Sequence, residues 1–173
     1  MVDVDELDSA IVQLLQKDAR RTNRELARAL GIAPSTCLER VRSLRERGIV
    51  CGYHADISLS ALNREVQALL AVQVRPLSRE VIDGFRAYIS EQPQVIGVFV
   101  VAGGDDFLIH VAVQRIEALH AFLMDQVSKR KEVVSFRTSI VYQYSRNLVL
   151  APLPEAPGEH SRPRAGAGRK SAP

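Results

Sequence analysis

Cysteine is scarce in this sequence. The two present, Cys37 and Cys51, fall in different expected elements, which excludes a disulfide framework and suits a reducing compartment. Cys51 and His54 form a C-x-x-H pair, but a zinc site takes about four ligands and no second pair stands nearby. Both thiols therefore read as small apolar fillers, and no metal is expected. Long apolar runs are missing too: none approaches the roughly 20 residues that cross a bilayer. The opening MVDVDELD is acidic where a secretion signal is basic. The expectation is a cytoplasmic protein without membrane association. A catalytic constellation is also lacking. His110 could pair with Asp106 as acid and base, with His120 on the following helix, yet no nucleophile or cofactor loop accompanies them. A packed or half-exposed His110 is the simpler reading, and no cofactor is expected.

Positive charge in excess is small, a net +3, so its position matters more than its size. Residues 146–173 account for all of it through Arg146, Arg162, Arg164, Arg169 and Lys170, set against Glu155 and Glu159. The rest of the chain is neutral but uneven. Residues 1–16 carry four acids and no base, whereas residues 17–47 carry nine bases against four acids. A local basic field therefore covers one short stretch.

That stretch reads as three helices. Leu7, Ile11, Leu14 and Leu15 recur at helical spacing after Asp5, a good N-cap. Thr22-Asn23-Arg24-Glu25 has the capping-box spacing, and the helix it opens runs through Leu26, Ala27 and Leu30 to Gly31. Pro34 suits the first turn of a third helix, where its missing N–H costs nothing. On a helical wheel Cys37, Leu38, Val41 and Leu44 take one side and Thr36, Glu39, Arg40, Ser43 and Arg47 the other. Gly48 stops the helix, and residues 49–56 read as a short extended segment.

The second half changes period. Apolar runs at 66–74, 95–102, 107–113 and 133–144 read as strands. Helical spacing of Ile82, Phe85 and Ile89, and of Leu119, Phe122 and Leu123, separates them, with Phe122, Leu123 and Met124 read as core. The order β-α-β-β-α-β predicts an antiparallel four-stranded sheet with both helices on one face. Its other face is apolar as well and needs a cover, most simply a second subunit. The fold class is α+β: a helix-turn-helix, winged-helix-like domain over 1–54, a linker over 55–65, a ferredoxin-like domain over 66–145, and a flexible Pro/Gly/Arg-rich tail over 146–173.

A helix, a glycine turn and a second helix with basic residues on its outer side meet the needs of major-groove recognition. On this reading Ser35, Thr36, Arg40 and Ser43 face bases, while Arg42, Arg45 and Arg47 reach phosphates. Thr22, Asn23 and Arg24 meet the DNA backbone. The alternative is a solvated face on which Arg42 pairs with Glu39 and Glu46.

Here the sequence resembles the Lrp/AsnC (feast/famine) family of transcription regulators, over roughly 5–144. The carriers are LQKDAR, ELA and PSTCLERVR in the first half, and VFVVAGGDDFLIHV with the β-α-β-β-α-β order in the second. The resemblance implies binding to double-stranded DNA as a homodimer, assembly into tetramers or octamers, and a small-molecule effector, usually an amino acid. It also implies that Thr138 and Ser139 on the last strand lie near the glycine turn, within the chain or across a subunit interface. Ala33 departs from the serine common in the family, which weakens the cap of the third helix by about 1 kcal/mol.

The turn itself suits a zwitterion. Gly103 and Gly104 let a ligand approach the backbone and offer N–H groups to a carboxylate, while Asp105 or Asp106 could receive an ammonium. An ordinary Gly/Asp-rich β-turn is the plain alternative. Two other functions stay open: an enzyme on the same scaffold, similar to tetrapyrrole decarboxylases, and an architectural DNA-binding protein without an effector. The arginines between Leu38 and Gly48 weigh against the enzyme.

Overall fold

In the computed structural model, which describes residues 4–153, the chain forms two compact units. One comprises 4–54 with 147–153, the other 55–146.

In the first unit Asp5 caps α1 (Glu6–Lys17), its carboxylate accepting from the Asp8 amide at 2.7 Å. The capping box of α2 (Asn23–Leu30) is made: Thr22 accepts from the Glu25 amide, and Glu25 accepts from the Thr22 amide at 2.7 Å. Gly31, at φ +67°, ends α2 in the left-handed region that favours glycine. Pro34 opens α3 (Pro34–Glu46), and Ala33 gives it no side-chain cap. Ile11, Leu15, Leu26, Ala27, Cys37, Val41 and Leu44 close the core between the three helices. Leu38 does not join them. It is 53% exposed, a correction to the wheel reading: it sits about 100° round the helix from Cys37, just beyond the buried arc. After α3 the Ile49 and Val50 amides return to the Leu44 carbonyl, and 49–56 pairs with no strand.

The second unit begins within the expected linker. A helical turn at Ser60–Leu62 is followed by Arg64, whose guanidinium donates to the Pro93 and Ala112 carbonyls at 2.6 and 3.1 Å. Strands β1 (Val66–Val74), β2 (Val95–Val100), β3 (Phe107–Val113) and β4 (Val133–Val141) form one antiparallel sheet in the order β2-β3-β1-β4. Helices α4 (Arg79–Ser90) and α5 (Ile116–Phe122) cover one face, the chain continuing past α5 in a wider turn over Leu123–Val127. Phe85 and Ile89 of α4, with Leu119, Phe122 and Leu123, pack on Leu70, Val72, Phe107 and Ile109. Met124, read as core, is exposed instead; two residues on from Phe122, at about 100° per residue, it falls on the opposite side of the helix.

On the opposite face Leu69, Phe99 and Leu108 are 40%, 58% and 37% exposed. They are close neighbours: Phe99 pairs with Leu108, which lies across from Ala71 on β1. The apolar second face read from the sequence is therefore present, and it is uncovered among the described residues.

Of the tail expected over 146–173, the described residues are 146–153. Arg146 pairs with Asp56 at 3.5 Å. The Leu150 amide and carbonyl both bond the Gln16 side chain at 2.8 Å. The Pro/Gly/Arg-rich part over 154–173 lies outside the described residues.

Candidate nucleic-acid interface and effector loop

The three arginines of α3 and Arg47, its C-cap, divide into two pairs. Arg40 and Arg47, two turns apart on one side of the helix, both reach Asp8 of α1, at 3.2 and 2.9 Å. Arg40 also bonds the Asp5 carboxylate. Asp8 is only 1% exposed, and a carboxylate that far from water needs charged partners. This cluster fixes the rotation of α3 on α1. Arg40, expected over bases, and Arg47, expected on phosphates, are thus both engaged with acids of α1 in the free chain, their side chains 39% and 32% exposed. The Asp8 amide and Arg40 hold the Asp5 carboxyl below its usual range, and Asp5, then Asp8, keep Arg40 more firmly protonated than usual.

Arg42 and Arg45 point the other way. Both are exposed, and among the described residues Arg42 meets only Glu46, at 2.8 Å along its own helix, a surface pair of little energetic weight. Glu39 is exposed and pairs with no base among the described residues, so the Glu39–Arg42 pair of the solvated-face reading is not formed. Ser35 and Thr36 are exposed on the first turn of α3, and Ser43 is half-buried. A cleft of about 610 Å³ runs beside this outer surface, lined by Asn23 at the start of α2, by Leu38, Arg42 and Arg45, and by Val50 and Cys51 beyond α3. Thr22 is committed to its capping box, while Asn23 and Arg24 occupy the opening turn of α2.

In the second unit the Gly103–Gly104 turn joins β2 to β3, with Gly103 at φ +149°, a conformation that favours glycine. Neither glycine amide donates a hydrogen bond among the described residues. The two aspartates are committed. Asp106 accepts from the Val74 amide at 2.8 Å and from Arg75 at 3.0 Å, and Asp105 accepts from Arg137 at 2.6 Å. In the free chain both aspartates, expected to receive a ligand ammonium, are thus paired within the unit, Asp105 with the exposed Arg137.

Thr138 and Ser139, expected near this turn within the chain or across a subunit interface, lie on β4. Thr138 pairs with Leu70 and Ser139 with Leu69, so they face opposite sides of the sheet. Neither bonds to the turn. The side chains brought there are Gln73, which donates to the Gly104 carbonyl, Ser135, which donates to Gln73 at 2.8 Å, and Arg137. Nothing in the spacing of the sequence marks these residues; only the β1–β4 register does. His110 is half-buried, its Nε2 3.1 Å from the Gln67 amide oxygen and its ring edge-on to Tyr144. Burial pushes its pKa below the usual value, and it does not pair with Asp106. His120 is exposed on α5. Among the described residues no group of three His, Cys, Asp or Glu is placed to hold a metal, and no helix is long and apolar enough to cross a membrane.

A helix-turn-helix unit joined to a ferredoxin-like unit defines a class, transcriptional regulators with a separate ligand-binding domain. Comparison with known proteins agrees in both halves. The family model for the AsnC-type helix-turn-helix domain matches residues 4–45, and that for the Lrp/AsnC ligand binding domain matches 67–146. The HTH-type transcriptional regulator AldR of Mycolicibacterium smegmatis is 39% identical over 144 residues, 83% of this chain and 84% of that protein. Among solved structures, a Neisseria meningitidis transcriptional regulator in complex with L-methionine is 29% identical with a TM-score of 0.78, covering 84% of this chain and 94% of that one. AsnC of Escherichia coli is 26% identical with a TM-score of 0.77, covering 87% and 99%. The chain belongs to the Lrp/AsnC family of transcriptional regulators. Its relatives are named as regulators, which sets aside the enzyme reading.

Proposed function

We propose that the chain is a sequence-selective DNA-binding regulator that acts as a homodimer or a larger assembly, and whose DNA binding responds to an amino acid. The observation that carries the DNA half is the division of the α3 arginines. With Arg40 and Arg47 engaged on Asp8, the side that bears Ser35, Arg42 and Arg45 is left free, and Thr36 is exposed on the first turn, one turn before Arg40. In this reading α3 enters the major groove. Ser35 and Thr36 meet base edges at its N-terminal end, Arg42 and Arg45 reach phosphates, and Asn23 and Arg24 meet the backbone from α2.

Dimerisation rests on the uncovered patch of Leu69, Phe99 and Leu108. Apolar surface of this kind is stabilised by burial against a second copy, and two-fold symmetry would give two recognition helices for a pseudo-palindromic site. The effector half rests on the free amides of Gly103 and Gly104 and on the half-exposed Asp105–Arg137 pair beside them. A carboxylate could take the amides and compete with Asp105 for Arg137, and the freed Asp105 could then meet an ammonium. The L-methionine bound to the Neisseria relative makes an amino acid the first chemistry to try.

The test is a salt titration of affinity for a duplex selected from a random pool. Each phosphate contact adds about 0.9 to the slope of log affinity on log salt. Arg42→Ala and Arg45→Ala should each lower that slope by about one unit per protomer. Slopes equal to wild type in both variants would remove this face from the interface.

A further inference from the structure

Single exposed leucines are common on protein surfaces, but Leu38 stands where few would be expected. It is 53% exposed, midway along the outward side of α3, one turn after Ser35 and one turn before Arg42, and it borders the cleft that Arg42 and Arg45 also line. Its side chain does no packing work for the unit, because Cys37, Val41 and Leu44 complete the buried side of the same helix. An apolar group is thus held half in water on a face that carries Arg42 and Arg45 on its C-terminal side, Arg42 paired there with Glu46. On the DNA reading above, the occupant of this face is a duplex, with Arg42 and Arg45 reaching its phosphates. Within the major groove of a duplex, the edges of the bases offer one apolar group, the C5 methyl of thymine.

We infer that Leu38 is a specificity-determining residue that reads a thymine methyl in each half-site. The inference rests on the DNA reading above and goes beyond it, since arginines on phosphates position the protein without choosing a sequence. Leu38 replaces water around the methyl with hydrocarbon, so the sites bound best carry a thymine at one fixed place in each half.

The experiment uses the full chain and a duplex enriched from a random pool. Each thymine of that duplex is replaced in turn by uracil, which removes only the C5 methyl. For wild type, one uracil position per half-site should weaken binding about threefold to fivefold, the effect of burying one methyl group. Leu38→Ala should bind the thymine duplex about that much more weakly and should lose all sensitivity at that position. Leu38→Met, which keeps the apolar reach, should retain it. The inference is overturned if no uracil position matters to wild type. It is equally overturned if Leu38→Ala keeps the same sensitive thymine, or if Leu38→Ala changes the assembly state and leaves DNA affinity unchanged, which would make this face a protein contact. A pool with no enriched sequence would remove the DNA reading itself, and this inference with it.

Discussion

Asp8 is the buried charge on which the placement of α3 depends, and the two ways of breaking its cluster should differ in cost. Its carboxylate is 1% exposed and is satisfied by Arg47 at 2.9 Å and Arg40 at 3.2 Å. The guanidinium side chains are themselves 32% and 39% exposed. Replacing both arginines by alanine strands the carboxylate away from water, for which about 3–5 kcal/mol is typical. Replacing Asp8 by Asn strands nothing, because Arg40 keeps Asp5 and Arg47 can turn into solvent. That change forfeits charged hydrogen bonds worth about 1–3 kcal/mol after allowance for partial exposure. A unit of this size has about 3–8 kcal/mol in total. Arg40→Ala/Arg47→Ala should therefore largely unfold the helical unit while the sheet unit stays folded, and adding Asp8→Asn should restore part of the loss. Hydrogen exchange read by mass spectrometry, peptide by peptide, resolves the two units. Protection should fall in α1 and α3 and hold in β1 and β3. If Asp8→Asn proves as costly as the double arginine variant, buried charge is not what orders these variants. Loss of DNA binding on removing Arg40 alone would then report a lost contact and not a displaced helix.

Other perturbations follow from particular residues. Ala33→Ser supplies the cap that α3 lacks, and because Ala33 already has extended backbone, exchange should show α3 stabilised by about 0.5–1 kcal/mol; no gain would mean that Pro34 alone fixes the helix start. The Glu25 carboxyl is held below its usual pKa by the Thr22 amide and then by the Thr22 hydroxyl. Its contribution is complete above the ordinary carboxylate range and is lost as pH falls through the lowered folded-state value. Acid unfolding of the helical unit, followed by circular dichroism, should begin at higher pH in Thr22→Ala than in wild type. His110 is likewise depressed by burial, so the sheet unit should lose stability on acidification below about pH 6.5, and His110→Gln should remove that step from the curve. Phe99→Glu places a charge in the apolar patch opposite the helices. Sedimentation velocity should then show smaller assemblies than wild type, and an unchanged distribution would locate the subunit contact elsewhere.

Much of the fold was legible because it is local. The Thr22–Glu25 box, the Gly31 and Gly48 stops and the alternation of β-α-β-β-α-β depend on neighbours within a few positions, and the structure reproduces them. The candidate sites were legible only in outline, because their details are long-range. A basic residue on an amphipathic helix has the same spacing whether it meets DNA or a buried acid. Only the packing of α1 on α3, which brings Asp8 to Arg40 across 32 positions and to Arg47 across 39, separates Arg40 and Arg47 from Arg42 and Arg45. Leu38 sits at the edge of an apolar arc, where a wheel cannot decide burial. In the loop, the sequence displayed two aspartates but not the partners Val74, Arg75 and Arg137 that engage them. Alternation also separates Thr138 from Ser139, which adjacency in the sequence had grouped.

The central claim is an amino-acid-controlled regulator that selects its DNA. It is tested most directly by sedimentation of the full chain on genomic DNA fragments at fixed salt, with and without each amino acid. The account predicts preferential, salt-sensitive binding to a subset of fragments, with the number of protomers bound changing for a particular amino acid. Equal binding to every fragment, indifferent to every amino acid, would contradict it.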